Sequence, residues 1–97
     1  MKTLKDIKTT LKRYEPEIRS RYGIKKMGLF GSYVRNEQTK KSDLDILVQF
    51  NESPGLFGFI DLEEYLSRLF GVKVDLVTKK ALKPFIGRRI LREVVYL

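Results

Sequence analysis

The sequence predicts a small α/β fold, in which a mixed sheet of about three strands has helices packed against it. Apolar residues recur every three or four positions in three segments, a spacing typical of helices with one buried face. Between these segments lie short runs of branched and aromatic residues that are too short for typical buried helices. Because helices and strands alternate along only 97 residues, we expect a single domain over residues 1–97.

The first half of the chain begins with a predicted amphipathic helix whose apolar residues are Leu4, Ile7, Leu11, Tyr14 and Ile18. We expect Pro16 to kink or interrupt this helix, because proline has no amide proton to donate, and Gly23 to end it. A short strand is predicted over residues 25–30. The pair Gly31-Ser32 then predicts a turn, and a brief helix is expected over residues 33–37.

The second half contains the strongest strand pattern in the chain, LDILVQF at residues 44–50. An amphipathic helix is predicted from residue 56 or 57 to the glycine at position 71. Residues 72–78, VKVDLVT, alternate with the period of a strand. A polar link and a last helix from about Pro84 follow, and the ending VVYL fits either the final turn of that helix or a short strand.

The composition restricts the chemistry that the chain can perform. It contains neither His nor Cys, which excludes a Ser-His-Asp or Cys-His nucleophile, the usual zinc sites and disulfides. The formal net charge is +8, yet residues 27–78 are net acidic between two basic ends. A basic chain attracts anions, and a central group of carboxylates suits a metal ion shared with an anionic substrate. Since no apolar run is long enough to span a bilayer or serve as a signal peptide, we expect a cytoplasmic protein with no membrane partner.

Asp43 and Asp45 stand two positions apart at the start of the strongest strand. Side chains alternate across a strand, so both carboxylates are expected on one face, with Leu44, Ile46 and Val48 buried on the other. Mg²⁺ commonly takes one or two carboxylates together with substrate phosphates. The pair therefore predicts a magnesium site, although a solvated strand edge would give the same pattern.

Asp75 lies in an apolar strand, where a buried carboxylate without a partner is costly and one beside a metal ion is not. Three Asp residues on two strands can converge on two divalent cations roughly 3.5–4 Å apart, which stabilise the attacking and leaving oxygens of an in-line phosphoryl displacement. Considered alone, Asp75 would instead be a charge that protects an edge strand from aggregation.

The turn at Gly31-Ser32 is the second candidate binding element. A glycine turn exposes backbone N–H groups, and the Ser32 hydroxyl adds a further donor, so the turn can hold phosphate oxygens. Arg35 is placed to reach the same phosphates. An ordinary turn and a solvated arginine are the alternative interpretations.

The spacing of these motifs resembles the signature of the polymerase-beta-type nucleotidyltransferase superfamily. Gly-Ser is followed by ten residues and then by Asp-x-Asp, in the string GSYVRNEQTKKSDLD. The longer string GLFGSYVRNEQTKKSDLDILVQF, with VKVDLVT and the ending LKPFIGRRILREVVYL, is similar to the minimal nucleotidyltransferases, the MntA-like antitoxins that are paired with HEPN toxins. The resemblance runs from Ile24 to the end of the sequence and implies a polymerase-beta-like nucleotidyltransferase fold.

The same resemblance implies a role for each candidate site residue. Gly31 and Ser32 would bind the nucleotide triphosphate, Asp43 and Asp45 would hold Mg²⁺, and Asp75 would be the third carboxylate, near the acceptor hydroxyl. It further implies that AMP is moved from ATP, the nucleotide substrate, to tyrosine hydroxyls of a HEPN toxin, releasing pyrophosphate and silencing the toxin's ribonuclease activity.

Two other functions remain open from the sequence. One is a binding module that neutralises its partner by contact alone, through exposed apolar residues such as Phe57, Phe59, Phe85 or Ile86. A small basic nucleic-acid binder would rest on net charge alone, because the sequence has no RNA-binding signature, and we disfavour it.

Overall fold

The computed structural model describes residues 2–82 and 84–97, and for residues 84–86 it describes the backbone only. The elements in this part of the chain are α1 (Leu4–Tyr22), β1 (Ile24–Phe30), β2 (Leu44–Phe50), α2 (Gly55–Phe70), β3 (Val74–Thr78), a 3₁₀ turn (Lys79–Ala81), α3 (Pro84–Glu93) and β4 (Val95–Tyr96). The predicted α/β class is confirmed. The described residues form four strands rather than about three, because the ending VVYL includes a short strand that pairs with β1.

The four strands form one mixed sheet in the order β3-β2-β1-β4. β1 pairs antiparallel with both β2 and β4. β2 and β3 are parallel, and α2 connects them, as a parallel pair requires a crossover. The starts of β2 and β3 therefore lie at the same end of the sheet as the finish of β1.

One face of the sheet carries the main hydrophobic core under α1 and α2. Leu44, Ile46 and Val48 of β2 are fully buried there, as predicted. The helices contribute one face each, with the buried residues Ile7, Leu11, Ile18 and Tyr22 from α1 and Leu62, Leu66 and Phe70 from α2. No helix among the described residues is long and apolar enough to cross a membrane.

The opposite face of the sheet is also partly covered. Leu47 is only 1% exposed, although it alternates with the core residues and shares its face with Asp45. Its partner across the β1–β2 pair is Gly28, and a Cβ atom on Gly28 would lie 2.6 Å from Cγ2 of Val94. The chain segment that follows α3 therefore packs closely on this face.

α1 continues through Pro16 as one helix, so the predicted interruption is wrong. Buried residues lie on the same helix face before and after the proline, and they hold both halves on the core. This packing outweighs the loss of one backbone hydrogen bond. A capping box between Thr3 and Asp6 begins the helix, and Gly23, with φ of 66°, ends it as expected.

The predicted helix over residues 33–37 is also wrong, since the chain makes hydrogen-bonded turns there instead. The amides of Val34 and Arg35 both donate to the carbonyl of Gly31. Asn36 has a φ of 58°, a left-handed conformation that an α-helix does not contain. The segment is thus a compact turn directly after β1.

We expect Ile46→Ala and Leu47→Ala each to lower the free energy of unfolding by about 2–5 kcal/mol, because each leaves a cavity at a buried position of β2. Chemical denaturation measures the loss, and Lys12→Ala on the exposed face of α1 is a control expected to stay within about 0.5 kcal/mol of the unmodified protein. A Leu47→Ala variant as stable as the control would contradict the conclusion that Leu47 is buried on the second face of the sheet.

Candidate active site

The sheet brings the predicted site residues to one end of the fold. Phe30, the last residue of β1, pairs with Asp45, so the Gly31-Ser32 turn begins beside this carboxylate. In the parallel pair, Asp45 is aligned with Asp75. The motifs that are 12 to 44 residues apart in sequence therefore meet at one edge.

Asp45 and Asp75 are neighbours across β2 and β3, where adjacent strands lie about 5 Å apart. Both side chains point to the same face because their backbones are in register. Burial, together with the nearby carboxylates of Asp75 and Asp43, raises the pKa of Asp45 to about 6. The site therefore concentrates negative charge that the surrounding protein only partly neutralises.

Asp43 precedes β2 and lies next to the start of β3. Its Oδ2 is 3.9 Å from Nζ of Lys73, a long ion pair between exposed or half-exposed groups. The amide of Leu44 donates to the carbonyl of Lys73, which fixes the two strand entrances to one another. Asp43 is thus held within electrostatic reach of Asp45, as the two-residue spacing predicted.

These carboxylates fit a magnesium ion that is shared with a substrate. Within residues 2–82 and 84–97, no three acidic side chains close around one point to form a metal cage by themselves. Mg²⁺ usually binds one or two carboxylates and completes its shell with water and substrate phosphates. The aligned oxygen donors and the raised pKa of Asp45 match such a site, which the nucleotide would complete.

Gly31 is required by its backbone conformation and by its neighbour. Its φ is 82°, in the region that side chains rarely adopt. A Cβ atom there would collide with Oδ2 of Asp45 and would lie 2.9 Å from its Cγ. The glycine therefore lets the turn approach the Asp45 carboxylate closely.

Within the described residues, the turn leaves unpaired donors at Ser32 rather than at Gly31. The amide of Gly31 donates to Oε2 of Glu93 at 2.8 Å. In the described part of the chain, the amides of Ser32 and Tyr33 and the Ser32 hydroxyl have no hydrogen-bond partner. Gly31 thus has a conformational role, and the donors that remain available belong to the next two residues, Ser32 and Tyr33.

Arg35 lies beside the turn, where it was predicted, and is held by two carboxylates. Its Nη1 donates to Oε1 of Glu93 at 2.7 Å, and its Nε lies 3.3 Å from Oε2 of Glu37. Glu93 was not among the predicted site residues. Its signal in the sequence is that it is the single acidic residue among the six basic ones of residues 79–97.

Comparison with known proteins identifies similar proteins over nearly the whole chain. The nucleotidyltransferase domain family matches residues 11–97. The chain is similar to the protein adenylyltransferase MntA of Thermococcus cleftensis, with 52% identity over all of this chain and 98% of that protein.

Two solved structures have the same fold. One, regarded as a minimal nucleotidyltransferase, is 35% identical, covers 94% of this chain and 95% of its own, and has a TM-score of 0.77. The other is a tri-AMPylated HEPN toxin of Shewanella oneidensis in complex with an MNT antitoxin. Its matching chain is 16% identical, with a TM-score of 0.68 over 93% of this chain and 70% of that one, a likeness of fold alone.

Gly31→Ala should be more destabilising than Gly23→Ala. Both glycines have a positive φ, so alanine costs about 1–2 kcal/mol at either position. Only the methyl group at position 31 collides with Asp45, whereas nothing lies within 4 Å of a Cβ atom at position 23. We expect an additional loss of about 1–3 kcal/mol for Gly31→Ala in chemical denaturation, most of it removed in an Asp45→Ala background. Equal losses for the two variants would contradict the close approach.

Asp45→Asn should stabilise the metal-free protein at neutral pH. Folding raises the pKa of Asp45 from 3.8 to about 6. The group therefore stabilises the fold below about pH 4, and this contribution is lost as the pH rises through 6. In EDTA at pH 8 we expect a gain on the order of 1–2 kcal/mol after solvent screening, seen as a Tm higher by several degrees, and little change at pH 4. Equal shifts at both pH values would contradict this cause.

Proposed function

The chain belongs to the nucleotidyltransferase domain family, and we propose that it transfers AMP from ATP to a tyrosine hydroxyl of a HEPN-domain toxin, as the antitoxin of that pair. The observation that carries the proposal is the alignment of Asp45 with Asp75 beside the Gly31-Ser32 turn. The adenylyltransferase name of the Thermococcus relative and the AMPylated HEPN toxin of the Shewanella complex support the choice of AMP and of this partner. We place the reaction in the cytoplasm, where ATP is supplied.

The turn after β1 would bind the β and γ phosphates of ATP. Ser32 offers its amide and its hydroxyl, and the Tyr33 amide lies next to them. Arg35 adds a fixed positive charge at the same turn. The net charge of +8 favours the approach of the anionic nucleotide.

Asp43 and Asp45 would hold Mg²⁺, with Asp75 completing the acidic group. When bound, the metal supplies charge neutralisation for the triphosphate and the departing pyrophosphate. Burial and the neighbouring carboxylates of Asp75 and Asp43 raise the pKa of Asp45, and a bound cation would offset both effects. Beside a cation, the Asp45 carboxylate would therefore be stabilised in its ionised form.

The acceptor hydroxyl would approach from the side of Asp75, whose side chain is exposed. The tyrosine oxygen attacks the α-phosphorus, a new phosphorus–oxygen bond forms, and the bond to the leaving pyrophosphate breaks. Asp75 accepts the proton of the hydroxyl and returns it to solvent. The remaining work of the chain is to position the two substrates and to match their charge.

The Asp43→Ala/Asp45→Ala variant should lose transfer while its fold survives. Incubation of the HEPN-domain protein encoded beside this chain with ATP and Mg²⁺ should add one or more AMP units to that partner, as measured by intact mass. We expect the double variant to reduce the rate at least about 100-fold, because it removes the metal-binding oxygens. Glu52→Ala, an exposed acid beyond the far end of β2, is the matched control and should keep the wild-type rate.

Fragmentation of the modified partner then identifies the acceptor, and Tyr→Phe at that position should abolish the mass gain. Transfer by the double variant would overturn the assigned metal site. AMP on a residue other than tyrosine would overturn the proposed acceptor.

Neutralisation by contact is a second candidate function, and exposed apolar residues favour it. Leu56, Phe57 and Ile60, at the start of α2, are 70%, 86% and 41% exposed. Phe59 is partly buried against the core, and the side chains of Phe85 and Ile86 lie outside the described residues. Inhibition of the partner without ATP, and equally by the Asp43→Ala/Asp45→Ala variant, would favour this function over transfer.

A further inference from the structure

Glu93, the last residue of α3, joins the C-terminal helix to the turn after β1. Its Oε2 accepts the amide hydrogen of Gly31 at 2.8 Å, and its Oε1 accepts from Nη1 of Arg35 at 2.7 Å. The side chain is only 16% exposed. Both carboxylate oxygens thus accept hydrogen bonds from residues at the proposed phosphate site, Gly31 and Arg35. These two residues are 58 or more positions away from Glu93 in sequence.

Both contacts are strong because they involve a charged acceptor. Burial opposes ionisation, but the hydrogen bonds from Arg35 and from the Gly31 amide keep the pKa of Glu93 below its ordinary value. Charge-assisted hydrogen bonds of this length are about twice as strong as neutral ones. The contact therefore restrains both groups that it joins.

The restraint on Gly31 sets the position of the phosphate donors. Gly31 has a φ of 82°, a conformation that a free glycine exchanges readily for others. Glu93 holds the amide of Gly31, and this fixes the backbone of the turn. In that conformation, the amides of Ser32 and Tyr33 remain unpaired within the described residues. The same restraint keeps Gly31 against the Asp45 carboxylate, which fixes the spacing between phosphate donors and metal ligand.

The contacts with Glu93 and Glu37 hold the long side chain of Arg35 in one position, in which it can bind an anion. Glu93 holds Nη1 and Glu37 lies near Nε, so that Nη2 is left without a protein partner in the described residues. An arginine held in this way loses less side-chain entropy when it binds a phosphate than a freely rotating one.

We propose that Glu93 is a positioning residue, which holds Gly31 and Arg35 in the arrangement that receives the triphosphate and does not itself contact the nucleotide. This inference rests on the proposed function, because it assigns the phosphates to that turn. If Glu93 instead competed with ATP for the same donors, its removal would strengthen ATP binding, whereas removal of a positioning residue weakens it. The sign of the change in affinity therefore separates a positioning residue from a competitor.

The test compares Glu93→Ala, Glu93→Gln and Arg35→Ala with the double variant Glu93→Ala/Arg35→Ala, using Glu64→Ala on the exposed side of α2 as the charge control. Calorimetry with Mg²⁺ and α,β-methylene-ATP measures binding, and transfer assays give KM for ATP and kcat. We expect Glu93→Ala to weaken binding at least tenfold and to raise KM far more than it lowers kcat. Glu93→Gln, whose amide oxygen still accepts from Gly31, should be affected less.

The double variant distinguishes positioning from a general loss of stability. If Glu93 acts partly through Arg35, the loss caused by Glu93→Ala should be several-fold smaller when Arg35 is already absent. Fully multiplicative losses, or binding by Glu93→Ala as tight as wild type or tighter, would overturn the proposal.

Hydrogen exchange of the Gly31 amide tests the same contact without nucleotide. It should be protected in the wild type and in Glu93→Gln, and at least tenfold faster to exchange in Glu93→Ala. Unchanged exchange would overturn the positioning role alone. A wild-type chain that binds no nucleotide would overturn the proposed function, whatever the exchange data give.

Discussion

The parallel pairing of β2 and β3 is the constraint on which the site depends. It aligns Asp45 with Asp75 on one face of the sheet, so that two like charges are held side by side. The arrangement opposes folding, because burial of Asp45, together with the nearby carboxylates of Asp75 and Asp43, raises the pKa of Asp45. The stability that offsets it comes from the other face, where α1 and α2 bury a continuous hydrophobic core. The strands are thus apolar where the helices cover them and acidic at the end of the sheet beside the Gly31-Ser32 turn.

The close approach of Gly31 to Asp45 is the second feature on which this end of the molecule depends. Gly31 has no side chain, so Asp45 can lie against the turn that carries the amides of Ser32 and Tyr33, which are unpaired in the part of the chain that the structure describes. The turn itself is held from the C-terminal side, by the carboxylate of Glu93. Residues from the middle and from the end of the chain are therefore required to shape one binding surface, although α3 is remote from the turn in sequence.

The composition and the geometry agree on the kind of chemistry. Without His or Cys, the chain has no side chain whose ordinary pKa lies near neutral pH, and phosphoryl transfer needs little covalent participation from the protein. The groups that this end of the sheet offers instead are aligned carboxylates, amides that are unpaired among the described residues, and an arginine held by Glu93. The exposed apolar residues at the start of α2 lie beyond the opposite end of β2, about 20 Å along the strand from Asp45. A partner's contact surface and its acceptor hydroxyl would therefore occupy different ends of the sheet.

The sequence by itself determined the fold class, both long amphipathic helices, the main strand and the group of acidic residues, because these depend on local periodicity and on residue chemistry. It also indicated the family, through the spacing of Gly-Ser and Asp-x-Asp. The sequence pattern was wrong about Pro16, where packing on the core overrides a local preference, and about residues 33–37, where Asn36 turns the chain. Only the tertiary structure decided that Glu93 accepts a hydrogen bond from the amide of Gly31 and that Asp75 is aligned with Asp45. Strand register and contacts between distant segments are set by long-range packing, which no local pattern records.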